Sequence, residues 1–189
     1  MSSCNKNKSE FLPQDDAKGM IAIDNIMTRV SVRQYTGKEV PEDTLATLLK
    51  AAMAAPSAKN LQPWEIVVVK DVNKRAALAE CLPNVGDKAK TAGAVVLICG
   101  NKNRFIEEAP EYWVQDCSAA TENLLLAAHA LGLGAVWCGV YPVEERVIQT
   151  SRTLGLPEHL IPLNVVTIGC PTALETAKDK WDASKIIVI

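Results

Sequence analysis

Histidine is scarce in this chain and its cysteines are scattered, which removes the usual routes to a metal centre. His129 and His159 are the only histidines among 189 residues. Cys4, Cys81, Cys99, Cys117, Cys138 and Cys170 contain no C-x-x-C pair and no histidine at ligand spacing. Four of these cysteines sit in or beside apolar runs. They read as buried free thiols in a reducing compartment, not as a disulfide or zinc framework. No apolar run reaches 18 residues, so no membrane-spanning helix is expected. A basic excess is missing as well: 20 Lys and Arg stand against 22 Asp and Glu, a net charge of −2. That balance argues against a general nucleic-acid or membrane-surface binder.

Several catalytic signatures are also absent. The chain has no G-x-x-x-x-G-K-[ST], no G-x-S-x-G and no H-E-x-x-H. Gly132-x-Gly134 fails as a dinucleotide fingerprint because its third position is Trp137. Its glycines also leave a helix and enter a strand, the reverse of the order that aims a helix N-terminus at a pyrophosphate.

What remains is a chain that is 48% hydrophobic, enough for one α+β domain after a polar tail. Residues 1–18 read as a disordered tail and residues 19–189 as the domain. A cytoplasmic location is expected; the alternative is a lipoprotein anchored through Cys4 with its signal removed. Met20, Ile21, Ile23, Ile26 and Met27 are spaced for one helical face ending near Thr28. Pro41 can open a second helix, with Glu42 and Asp43 suiting its positive first turn and Leu45, Leu48, Leu49, Ala52 and Met53 forming its buried stripe. Strands are predicted over 66–69, 94–99, 135–140 and 163–168, and further helices over 73–81, 116–131 and 143–154. The helix over 116–131 is apolar on almost every face, which points to a deep core or a subunit interface. A terminal apolar run, 186–189, is expected to pair with a sheet of its own subunit or a neighbour's, since a free run would invite aggregation.

Two stretches carry chemistry. From Arg29 to Tyr35 polar and apolar residues alternate, so Arg29, Ser31 and Arg33 project to one side of an extended segment. They form either an anion receptor or the solvated face of an edge strand. From Ala54 to Trp64 the chain packs Ser57, Asn60, Gln62 and Trp64 into a stretch broken twice by proline, at Pro56 and Pro63, far more functionality than a chain reversal needs. The polar stretch 101–111, followed by Tyr112 and Trp113, reads as a mobile aromatic cover or as peripheral packing.

In order and spacing, four motifs resemble the FMN-dependent nitroreductase family: Arg29-x-Ser31-x-Arg33; Ala55-Pro56-Ser57-Ala58-x-Asn60-x-Gln62-Pro63-Trp64; Glu122-Asn123-Leu124 through Gly132-Leu133-Gly134-x-x-Trp137-x-Gly139; and Ile168-Gly169-x-Pro171. The resemblance spans about residues 22–181. It implies an α+β fold with a central, mainly antiparallel sheet flanked by helices. It further implies an interlocked homodimer with FMN at the interface and a C-terminal extension crossing to the partner. NAD(P)H would be the co-substrate, and nitroaromatics, quinones or similar small molecules the acceptors, in a ping-pong reaction. The alternative is a flavin-binding carrier or sensor without efficient turnover.

The family pattern assigns Arg29, Ser31, Arg33, Lys178 and Lys180 to the phosphate and ribityl chain. Lys180 stands where many members have arginine, which loosens any bidentate contact there. Pro56, Ser57 and Ala58 would brace the flavin from the other subunit, and Asn60 and Gln62 would read its pyrimidine edge, amides being able to donate and accept. Trp137 and Gly139 would lie against the ring, with backbone N–H groups near N5. No side-chain acid or base is then required, since the flavin carries the chemistry.

Overall fold

The computed structural model describes residues 16–173 and 175–189. Most of the expected tail, Cys4 included, lies outside the described residues, and the first helix already begins at Asp16. In chain order the elements are α1 (Asp16–Thr28), α2 (Glu42–Met53), β1 (Trp64–Val68), α3 (Val72–Cys81) and α4 (Lys88–Thr91). Then come β2 (Ala94–Asn101), α5 (Tyr112–Ala130), β3 (Gly134–Gly139), α6 (Glu144–Leu154) and β4 (Leu160–Gly169).

The four strands make one antiparallel sheet in the order β1-β2-β4-β3. β2 and β4 are central and buried nearly throughout, which is why their sequences are mostly apolar with no alternation, Asn164 and Thr167 of β4 being buried polar exceptions. Even-numbered side chains of β2 (Ala94, Val96, Ile98) share a core with α2 and α5, while Val95, Leu97 and Cys99 share another with α3, α4 and α6. Helices therefore cover both faces. Pro162 stands opposite Cys99, where the β2–β4 register shifts, as expected of a residue that cannot donate to a ladder.

Local chemistry accounts for the boundaries. Asp71 accepts from the N–H groups of Asn73 and Lys74 and so caps α3. Gly132, at φ +72°, closes α5: its N–H donates to His129 O and that of Leu133 to Ala128 O, the pair of bonds that satisfies a helix C-terminus. The buried face of α5 runs Trp113, Asp116, Cys117, Ala120, Thr121, Leu124, Leu125, Ala128, an i, i+3, i+4 stripe.

The buried stripe of α2 and the start of α5 are corrected, and three other expectations are narrowed. Met53 is 51% exposed, because the buried stripe of α2 is Leu45, Leu48 and Ala52 and the helix ends with Met53 turned off it. The segment after α1 is no full strand: Ser31 bridges Ala135 and Tyr35 bridges Pro171, so it passes from the edge of β3 to the end of β4. α5 starts at Tyr112, one turn early, and of the two readings of the aromatic stretch, packing is the one observed. Phe105 stacks on Trp113 with centroids 5.4 Å apart, and Trp113, buried, meets Tyr141 edge-on at 4.9 Å. The run 186–189 pairs with no strand of its own chain and is exposed along its length, so of the two expected sheets its own is ruled out. Among the described residues no helix is long and apolar enough to cross a membrane.

Candidate functional site

The segment leaving α1 and the C-terminal arm, 145 or more residues apart in sequence, face each other across an open cleft of about 1000 Å³. Arg29, Ser31 and Arg33 line one side and Lys178, Lys180 and Trp181 the other. All five residues expected to hold a phosphate and its chain thus line one cleft. Val32 and Tyr35, between and beyond them, are buried, and the Val32 N–H donates to Ala135 O at 3.0 Å, so the alternation holds although the strand does not form. The Tyr35 hydroxyl locks this segment to β4 through Val32 O at 2.7 Å and Thr167 O at 2.8 Å.

Sequence reasoning missed the acidic partner of this cleft. Glu122 of α5 accepts from Arg29 Nε at 3.1 Å and also lines the cleft, as do Glu175 and Asp179. Four cations there meet three carboxylates, so selectivity for an anion rests on geometry more than on gross charge. Arg33 Nη1 donates to Ser31 O at 3.1 Å, drawing the guanidinium along its own segment. Among the described residues no group of His, Cys, Asp and Glu could hold a metal ion.

The loop from Pro56 to Gln62 lies apart from this cleft in the single chain; none of Pro56, Ser57, Ala58, Asn60 and Gln62 lines it. Its backbone is left-handed at three non-glycine residues: Lys59 (φ 50°), Asn60 (φ 55°) and Gln62 (φ 49°). Such conformations cost free energy and cluster where side chains must be aimed. Several contacts hold the loop in place. The Gln62 N–H donates to Ser57 Oγ at 3.0 Å, Gln62 Nε2 to Asn60 Oδ1 at 3.2 Å, and the Ala58 N–H to Asp116 Oδ1 at 3.0 Å. Asp116 is buried on α5, and this contact explains a carboxylate in that apolar stripe. Outside, Lys59 pairs with Glu108 at 2.7 Å.

Trp137 and Gly139 stand on β3, the edge strand, and their side of it faces α5. A Cβ built at Gly139 meets nothing within 4 Å, so the strand opens onto free space there. Beneath it, fully buried Asn164 pairs with Gly139 in the ladder and donates to Thr121 Oγ1 at 2.9 Å, leaving its own Oδ1 unpartnered among the described residues. Burial pushes up the thiol pKa of Cys138, and of Cys99 to about 12, so both are protonated packing groups at neutral pH.

An α+β protein on a four-stranded antiparallel sheet, with a cation-lined cleft beside its edge strand, is the class that the geometry defines. A model of the nitroreductase family matches residues 26–112 and 83–170. A protein of Methanothermobacter thermautotrophicus, provisionally named NADH dehydrogenase/NAD(P)H nitroreductase, is 41% identical over 167 residues, which is 88% of this chain and 86% of that protein. A solved structure from Bacteroides thetaiotaomicron with the same provisional name shares 41% identity at a TM-score of 0.82, over 88% of this chain and 96% of that one. A provisionally named nitroreductase of Desulfovibrio desulfuricans, solved in complex with FMN, shares 28% identity at a TM-score of 0.76, over 89% of this chain and 96% of that one. The chain belongs to the nitroreductase family, whose members use FMN with NAD(P)H as co-substrate.

Proposed function

We propose that the protein is an NAD(P)H-dependent FMN oxidoreductase that reduces nitroaromatic, quinone or similar acceptors in ping-pong order, working as a homodimer. The observation that carries this reading is the convergence of Arg29, Ser31, Arg33, Lys178 and Lys180 on one cleft from opposite ends of the chain. The residues fit the cofactor. Guanidinium forks and ammonium point charges suit a phosphate dianion, the Ser31 hydroxyl suits a ribityl oxygen, and the volume lies at the upper end of the ~300–1,000 Å³ range of small-molecule sites.

When bound, FMN would supply the two-electron redox chemistry between NAD(P)H and the acceptor. The chain binds, orients and shields. Arg29 and Arg33 anchor the phosphate with Lys178 and Lys180; Asn60 and Gln62 read the pyrimidine edge; Pro56, Ser57 and Ala58 brace the ring from the partner subunit; Trp137 and Gly139 back it. The separation of the 56–62 loop from the cleft within one chain is what a site completed by a second copy requires. Supporting the dimer, Ile21, Ile23, Ile26 and Met27 on α1 are exposed, as is the apolar run 186–189.

Purified protein supplied with FMN should be yellow, sediment as a dimer and bleach anaerobically on addition of NADH or NADPH. A colourless protein that takes up no FMN would end the reading. A yellow protein bleached by neither nucleotide would leave a flavin carrier in its place.

A further inference from the structure

Gly139 is held by its carbonyl. Asn84 Nδ2 donates to Gly139 O at 2.9 Å, from the turn between α3 and α4, and Arg146 Nη1 donates to the same oxygen at 3.2 Å, from the first turns of α6. Two donors use both lone pairs of that carbonyl. The ladder explains which way it points. The Val140 N–H donates to Leu163 O at 3.0 Å, which makes Val140 and Leu163 a hydrogen-bonded pair. In an antiparallel ladder the next residue, Gly139 opposite Asn164, is then a non-bonded pair, and both its N–H and its C=O leave the free edge of β3. Ala135, of the same parity, behaves this way: its carbonyl accepts from Val32 N.

The free edge at Gly139 therefore presents one occupied acceptor and, on the same residue, one N–H facing outward beside open space. Arg146 is half-buried and has no ion-pair partner among the described residues, while its neighbours Glu144 and Glu145 are exposed to solvent. Asn84 Oδ1, buried and without a partner among the described residues, lies on the same clamp. A neutral donor could satisfy the carbonyl as well as a guanidinium does.

We propose that Arg146 and Asn84 are positioning residues for the redox centre. Their clamp on Gly139 O holds the peptide leaving Gly139, while the ladder holds the peptide that carries its N–H, so the edge stays set at this residue. The Arg146 charge beside it favours the reduced, anionic state of whatever accepts from that N–H. The proposal rests on the FMN reading above, with Gly139 against the ring. It adds a residue on α6 and one on the α3–α4 turn, neither of which lines the cationic cleft.

The test is the two-electron midpoint potential of FMN-loaded wild type, Arg146→Gln, Arg146→Lys, Arg146→Ala and Asn84→Ala, with FMN affinity and thermal unfolding measured alongside. Arg146→Gln keeps a donor and removes the charge. It is expected to lower the preference for reduced over oxidised FMN about tenfold, a potential ~30 mV more negative. Arg146→Lys, which keeps the charge, should restore most of it, and Asn84→Ala should give a smaller shift of the same sign. A purely structural role would lower the unfolding temperature of Arg146→Ala and Asn84→Ala while leaving the potential of Arg146→Gln in place, and that result overturns the proposal. If Arg146→Ala does not fold, the glutamine and lysine variants decide alone. Wild type that binds no FMN would overturn the functional reading and this proposal with it.

Discussion

Arg29 Nε donates to Glu122 Oε1 at 3.1 Å, and the arginine is the better buried of the two, with 18% of its side chain exposed against 46% for the glutamate. One edge of the guanidinium is thus committed to α5, and its two terminal nitrogens are left for a ligand. An arginine free to swing would have to be ordered on binding; this one is oriented in advance.

Replacing Arg29 with alanine is expected to weaken FMN retention by about 1.5–3 kcal/mol, the range for a hydrogen bond to a charged group, or roughly 10- to 150-fold in Kd. Arg33→Ala should do the same. Fluorescence titration of the apoprotein reads both, and unchanged affinity would remove that residue from the site.

Asp116→Ala should release the 56–62 loop. The Ala58 N–H loses its acceptor, and about 1–3 kcal/mol of local stability goes with it. Since Lys59 lies inside the loop, limited trypsin digestion should cut after it faster in the variant than in wild type. Equal cleavage rates would mean that the outer contacts suffice.

Gly100→Ala tests the aromatic packing. A Cβ at Gly100 overlaps the Trp113 ring, which is buried and packed against Phe105 and Tyr141. Overpacking of this kind costs about 1–3 kcal/mol. A lowered urea midpoint with altered tryptophan fluorescence is expected, and Gly155→Ala, which meets no atom within 4 Å but sits at φ +67°, separates steric from backbone cost.

Burial pushes the Tyr35 hydroxyl up to about 12 from an ordinary 10.0, with its hydrogen bond to Thr167 pulling the other way. A raised pKa in the folded state means that folding favours the protonated phenol. Its contribution is therefore intact below about pH 10 and lost as pH climbs toward 12, a change on the order of 2–3 kcal/mol. Cys99, also raised to about 12 by burial, acts in the same direction. Tyr35→Phe should be less stable than wild type near neutrality and lose less on going to alkaline pH; parallel losses in urea titrations would contradict the assignment.

Much of this was legible in the sequence because burial wrote it there. β2 and β4 are covered on both faces and read as largely apolar runs; α2 announced itself through Pro41, Glu42 and Asp43; Gly132 marked the end of α5. The cation set was legible from the alternation Arg29, Ser31, Arg33 joined to the family pattern at Lys178 and Lys180. What stayed hidden depends on contacts distant in sequence. Glu122, Asp116, Asn84 and Arg146 are ordinary polar residues in helices and turns until the fold places each against a backbone or guanidinium group 55 or more residues away, or, for Arg146, across a turn. Met53 misled because helical spacing alone cannot say where a stripe stops.

The left-handed backbone at Lys59, Asn60 and Gln62 bears on how this sequence would drift. Glycine adopts that conformation without the ~1–2 kcal/mol penalty an L side chain carries. In a laboratory selection for heat resistance alone, these are positions where glycine should accumulate. Adding flavin retention to the selection should hold Asn60 and Gln62 and free only Lys59. The loop is thus a place where stability and ligand recognition would pull the genetic record in opposite directions.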